Sequence, residues 1–195
     1  MPDIDASAYG TLGNILAGFR HHGYARPNRF EIILYPPRRG TQYTSSELRE
    51  ICLHCETVSL PGRNLNSLED ANTYGPMREI VDTVAFEREV SFSFHASTDL
   101  REREFFESWQ ELAFNKRNWN AGWYDDYVGE ADIWLLDTDE KKQYGLKLRE
   151  VFPKTISPIE LNAGELNTVA KVSVSLQFRF WEKLTLYEQS VYAAI

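Results

Sequence analysis

The sequence predicts a mainly β domain, built as a sandwich or barrel wall with one α-helix laid against a sheet, and three stretches carry that prediction. From Thr168 to Trp181, Ala170, Val172, Val174, Leu176, Phe178 and Phe180 share one face. Lys171, Ser173, Ser175, Gln177 and Arg179 share the other, which is the period of two of a strand with one buried side. Val90, Phe92 and Phe94 alternate with Ser91, Ser93 and His95 in the same way. After Ser97 and Thr98 the period changes: Leu100, Phe105, Phe106, Trp109, Leu112 and Ala113 recur at helical spacing behind an Asp99 cap with Glu102 three places on. Glu102, Glu104, Glu107 and Glu111 lie off that stripe and are expected to face solvent. A strand that delivers a helix with an aromatic stripe needs a sheet to receive it, and Phe105, Phe106 and Trp109 are the expected anchors.

The other elements follow in chain order. Leu12, Ile15, Leu16 and Phe19 fall at i, i+3, i+4 and i+7, with Gly23 placed to stop a short amphipathic helix. That stripe is narrow and serves packing on its own domain or docking on a neighbouring subunit. Ala25 to Asn28 form a turn, then Phe30, Ile32 and Leu34 alternate with Glu31, Ile33 and Tyr35 until Pro36 and Pro37 end the strand. A polar loop comes next, and Glu50 to Leu60 reads as extended up to the Pro61–Gly62 turn. Between Arg63 and Ala85 the chain is polar and turn-rich, with Tyr74, Gly75 and Pro76 at its middle. So long a stretch without core residues reads as a loop or protruding arm that orders on a partner. Trp119, Trp123, Tyr124 and Tyr127 form an aromatic segment without periodicity. Ile133 and Leu135 lead to a turn at Asp137–Glu140, and Tyr144, Leu146, Leu148 and Phe152 return as the second arm of a hairpin that Pro153 ends. Ile156, Ile159 and Leu161 suggest a short connecting strand before a turn at Gly164.

Composition narrows the function. A chain of 195 residues with 43% hydrophobic content can bury one good core. Its 29 acidic against 21 basic residues give a net charge of -8, and no Lys/Arg run marks a groove that tracks phosphates. The first residues lack the apolar region of a secretory signal, and no apolar run reaches bilayer length. Two cysteines make no disulfide framework, which fits folding in a reducing cytoplasm.

Candidate chemistry is sparse. Cys52 and Cys55 form one Cys-x-x-Cys around His54, but there is no second pair, and His21, His22 and His95 are remote in sequence. A four-ligand zinc site is therefore not expected, and the thiols read as buried or incidental. The group Asp125, Asp126, Glu130, Asp132, Asp137 and Asp139 lacks the spacing and central glycine of a calcium loop and reads as a solvated acidic face. Glu107 and Glu111 lie one helical turn apart with no cleft signal beside them. No nucleophile elbow, P-loop or dinucleotide fingerprint occurs. The residues thus point to a binding or structural protein, with no catalytic, cofactor or metal site.

Several pieces, in one order, carry a resemblance. These are Ala25-Arg26-Pro27-Asn28 before a strand, Ser59-Leu60-Pro61-Gly62-Arg63, Tyr74-Gly75-Pro76 and Phe106-Glu107-Ser108-Trp109-Gln110. Last comes Val151-Phe152-Pro153, leading to a strand that ends at Phe180-Trp181-Glu182. Together they resemble the tail tube proteins of contractile-tailed bacteriophages over residues 24 to 183. The resemblance implies a β-sandwich or barrel-like subunit that joins its neighbours edge to edge into a continuous barrel. Hexameric rings of it would stack into the inner tube through which DNA passes without specific binding, along acidic side chains lining the lumen. It implies an N-terminal extension at 1–23, a tube domain at 24–183 with an arm at about 63–85 and a helix at about 99–115, and a C-terminal extension at 184–195. The arm would place Arg63, Asn64, Asn66, Tyr74, Gly75, Pro76 and Arg78 at subunit contacts. Implied partners are further copies of the chain, with sheath, baseplate and terminator proteins, in a virion tail made in the host cytoplasm. A baseplate-end initiator ring and the tube of a contractile injection or type VI secretion machine are alternatives within the same architecture.

Overall fold

The computed structural model describes residues 24–37, 43–70, 74–164 and 168–184. The expected N-terminal helix at Leu12–Phe19 and the extension from Thr185 onward lie outside them. The described elements are, in order, β1 (Phe30–Tyr35), α1 (Ser45–Leu53), β2 (Cys55–Val58), β3 (Arg63–Glu69), β4 (Glu79–Phe86), β5 (Glu89–His95) and α2 (Arg101–Ala113). There follow α3 (Tyr124–Tyr127), β6 (Gly129–Leu136), β7 (Lys142–Ile156), β8 (Lys171–Gln177) and β9 (Phe180–Leu184). The fold is mainly β, as the alternating stretches predict.

Seven strands form one folded-over sheet in the order β1-β6-β7-β8-β5-β2, with β9 also on β7. All pairings are antiparallel. The long strand β7 makes the fold possible. Its first half lies between β6 and β9, and its second half, from Phe152, pairs with β8. Between the halves Glu150 has φ 55, a conformation few side chains adopt, and the strand turns a corner there. Its carboxylate is held at 2.8 Å by the Tyr124 hydroxyl and at 2.8 Å by the Arg179 guanidinium. Between the two half-sheets sits the core: Ile32, Leu34, Ile133 and Leu148 from one side, Val90, Phe92, Phe94, Val172, Val174 and Leu176 from the other. Helix α2 closes it with Phe105, Phe106 and Trp109, none of which has accessible surface.

Five local expectations are corrected. The predicted single strand Thr168–Trp181 is two: Phe178 ends the buried face, and the chain steps at Arg179 so that β9 pairs with the other half of β7. Pro153 does not end the hairpin arm but lies inside β7, where the register shifts between Pro153 and Thr155, a place where a missing N–H costs no ladder bond. There the Gln110 amide of α2 donates to the Pro153 and Lys154 carbonyls at 3.2 and 3.3 Å. No strand follows at Ile159 and Leu161. Residues 45–53 are helical, not looped and then extended. Thr44 and Glu47 form its N-terminal cap, the Thr44 N–H donating to the Glu47 carboxylate at 2.7 Å. Finally, the arm is no unstructured loop. Its strands β3 and β4 pair from Arg63↔Phe86 to Glu69↔Glu79 as a separate two-stranded sheet.

Candidate functional site

Three surfaces stand out once the core is assigned. The first is the β3–β4 hairpin. Its residues are exposed along nearly its whole length, and only Ala85 and Phe86 at its base are partly covered. The expected contact residues Arg63, Asn64 and Asn66 lie on β3, Tyr74, Gly75 and Pro76 form the bend at its far end, and Arg78 leads into β4. The structure thus brings them onto one projecting element and leaves all of them exposed. Gly75 has φ 120, which favours glycine at this bend. What the sequence reading missed is the apolar content. Leu65, Val81 and Val84 share one face and Leu68 and Ile80 the other, by the pairings Leu65↔Val84, Ser67↔Val81 and Leu68↔Ile80, and all five are exposed. A two-stranded sheet with both faces in water is marginal by itself, and exposed apolar side chains grouped in this way mark a surface that a partner can cover. Its base is tied to the barrel. Phe86 meets Trp181 edge-on at 5.8 Å, Arg63 lies 5.3 Å over the same indole, and Gly62 and Glu87 exchange hydrogen bonds.

The second surface is the outer face of the half-sheet β1-β6-β7-β9. Residues opposite the core there form an ion-paired cluster with a further pair beside it. Lys147 meets Glu130 at 2.9 Å and Asp132 at 3.8 Å, Arg149 pairs with Glu130 and, at 3.1 Å, with Glu182, and Lys142 meets Glu31 at 3.0 Å. The Tyr35 hydroxyl donates to Asp132 at 3.3 Å. The expected solvated acidic face is thus corrected at Glu130 and Asp132, while Asp125, Asp137 and Asp139 are exposed as expected. Asp132 is 94% buried by its 6% exposure, and its Oδ1 has no hydrogen bond among the described residues. Burial pushes its carboxyl above the usual range, against the pull of Lys147. Burial also acts upward on Glu130, but Lys147 and Arg149 outweigh it and hold that carboxyl low. Four carboxylates thus face three cations across all four strands, and among the described residues no strand pairs with the outer edge of β1 or of β9.

The third feature joins α1, β5 and α2. Glu102, expected in solvent, is 1% exposed. Its Oε1 accepts from the His54 ring at 2.6 Å, and its Oε2 from the Ser97 N–H at 3.0 Å and hydroxyl at 2.9 Å. Leu100, not Asp99, precedes the helix, in a left-handed conformation, and Glu102 lies three, four and seven residues before Phe105, Phe106 and Trp109, on the face that α2 buries. Burial alone would raise this carboxyl, but the donors at Ser97 and His54 with its own amide bring it below the usual range. Cys52, in the last turn of α1, and Cys55, opening β2, are both free. They do not lie on one extended strand as the sequence reading had it, and burial pushes their thiols up to about 11 and about 12. Neither is a ready nucleophile. Trp109, an expected anchor, donates its indole N–H to the Tyr127 carbonyl at 2.7 Å.

Among the described residues, then, the sheet has two edges without a partner strand and a hairpin with apolar side chains exposed on both faces. Comparison with known proteins identifies the family. The family model of the phage tail tube protein matches residues 25–184, and the chain belongs to that family, with the structural role of a tail tube component. No curated protein matches it in sequence. Among solved structures it is similar to a chain of the PVC sheath-tube complex of an extracellular contractile injection system in its extended state. That match has 10% identity and a TM-score of 0.59, over 87% of this chain and 97% of that one. It is similar to a chain of the sheath/tube terminator of the same kind of system, at 12% identity and a TM-score of 0.57, over 83% and 98%. A chain of the anti-feeding prophage baseplate matches at 13% identity and 0.53, over 84% and 97%. At these identities the likeness is one of fold. Among the described residues, no helix is long and apolar enough to cross a membrane.

Proposed function

We propose that copies of this chain close into hexameric rings by pairing the open edges of neighbouring β1-β6-β7-β9 half-sheets, and that the rings stack into the inner tube of a contractile phage tail. The observation that carries this reading is the half-sheet whose two edges, at β1 and β9, are unpaired among the described residues. Such edges invite aggregation in a monomer, and ring closure removes them. The ion-paired Glu31, Glu130, Asp132 and Glu182 with Lys142, Lys147 and Arg149 would then line the lumen, where DNA passes without being gripped. The hairpin, with Arg63, Asn64, Asn66, Tyr74, Gly75, Pro76 and Arg78, would lie on adjacent subunits and cover its apolar faces there. In this reading the barrel of residues 24–183 is the tube domain and both ends of the chain are extensions. Sheath, baseplate and terminator proteins are the expected partners, a reading supported by the assemblies in which the same fold occurs. The protein acts in the virion as a conduit and not as an enzyme.

The experiment is direct. Purified chain at high concentration, or seeded on a baseplate, should form rings or hollow rods under negative-stain microscopy. A strictly monomeric protein under both conditions would overturn the proposal.

A further inference from the structure

The tube reading leaves open what joins one ring to the next. We propose, resting on that reading, that the loop between α2 and α3 is the head of a head-to-tail contact and seats on the β6–β7 turn of a second copy of this chain. The two features lie at opposite ends of β6. The loop leads through α3 into Gly129, and the turn follows Leu136. At about 3.3 Å per residue, that strand holds them some ~25 Å apart, so they meet only between copies. A contact of unlike surfaces repeats without closing, as stacking along an axis requires.

The loop is built to present side chains. Phe114 and Ala121 form an isolated β-bridge, the Asn115 N–H donates to the Asn120 carbonyl at 3.0 Å, and the Trp119 N–H donates to the Asn115 carbonyl at 2.8 Å. The Asn115 and Asn118 side chains accept from the Arg117 and Asn120 N–H groups at 2.8 and 3.1 Å. On this frame Trp119 is 78% and Trp123 83% exposed. Trp119 stacks on Phe114 at 6.1 Å with planes 5° apart. Its backbone has φ 57, costly for a bulky side chain and the kind of local strain that collects at working surfaces. Internally bonded yet showing two indoles to water, the loop has the residue types that dominate binding energy at protein contacts.

Charge selects the occupant. Lys116 is paired with Glu111, while the exposed guanidinium of Arg117 makes no ion pair among the described residues. At the opposite end the turn carries Asp137, Asp139 and Glu140. Asp139 is only loosely paired, 3.9 Å from Lys141, and the carboxylate of Glu140 makes no ion pair among the described residues. Glu140 has φ 61, so this tip too holds a non-glycine residue in the left-handed region. A cation beside exposed indoles at one end and a carboxylate at the other, neither ion-paired among the described residues, match in charge across a head-to-tail contact.

The test uses the full chain. Arg117→Glu and Glu140→Lys, made singly, should leave melting temperature and ring formation unchanged. Each should raise the protein concentration needed for rod growth about tenfold, equivalent to about 1.4 kcal/mol per contact. The two changes combined in one chain restore attraction with its sign reversed and should recover growth. Trp119→Gly, which suits the backbone there, should block growth while sparing rings. Rods of normal length from Arg117→Glu, or a double variant as defective as the singles, would overturn the contact while leaving the tube reading intact. That outcome would assign the loop to another partner on the tube surface. An unaltered chain that forms neither rings nor rods would sink both.

Discussion

Trp109 shows how much of this protein is held by single side chains. It has no exposed surface, meets Phe105 at 5.8 Å, and donates to Tyr127. A Cβ at Gly129 would come within 2.7 Å of its ring and 2.3 Å of the Tyr35 carbonyl, so strand and indole are as close as two elements can pack. Trp109→Ala should cost about 3 to 5 kcal/mol of stability, read by denaturant unfolding. An unchanged midpoint would show that the helix is held elsewhere. Glu102 yields a prediction in pH. Its folded carboxyl lies below the usual range, so its contribution is full above the unfolded value of about 4.3 and is lost as pH falls through the folded value. Glu102→Gln should flatten that acid limb of the stability curve, and a variant with the parent's acid limb would refute the assignment. Trp109 was legible from helical spacing. Glu102 is hidden by its charge: it stands three, four and seven residues before Phe105, Phe106 and Trp109, on the same helical face, and only the folded chain supplies the Ser97 and His54 donors that let a carboxylate sit there.

At the scale of elements, the hairpin and α1 differ most from the expectation, for opposite reasons. Residues 45–53 carry a capping signal, Thr44 with Glu47, and an Ile51 that packs into the core beside Leu48 and Cys52. The short apolar run beyond it reads equally well as a strand, and only its neighbour β1 decides. The strands β3 and β4 hide because Leu65 and Leu68 point to opposite faces, so neither face shows the clean alternation of a half-buried strand. Beyond its base at Gly62, Phe86 and Trp181 the hairpin contributes nothing to the core. Deleting Asn66–Asn72 should therefore leave the melting temperature of the subunit within a few degrees of the parent, while rods fail to form. Normal rods from the deleted chain would show that the hairpin is not an assembly element.

For the whole molecule, the net charge of -8 suggested a wall lined by acids, and the folded sheet refines that. On the outer face of β1-β6-β7-β9 nearly every carboxylate has a cation beside it. As the proposed lumen wall, such a face would neither hold nor strongly repel a polyanion, because paired charges cancel within a Debye length. Removing the acids should unmask the bases. Rods of a Glu130→Gln, Glu182→Gln variant should retain a DNA oligonucleotide at low ionic strength and release it as salt rises, while parent rods retain little at any salt. Equal retention by both would place this face away from the lumen.

By itself, the sequence determined the β class, the barrel strands β1, β5, β6 and β8, the single long helix with its aromatic stripe, and the kinship with tail tube proteins. All of these are written in local periodicity and ordered motifs. Tertiary structure alone decided the corner at Glu150, the step at Arg179 that divides the last strand, the burial of Glu102 and Asp132, and the matching of acids with bases across four strands. Those depend on which distant segments meet, and a pairing between residues far apart in the chain leaves no period behind for a reader to find.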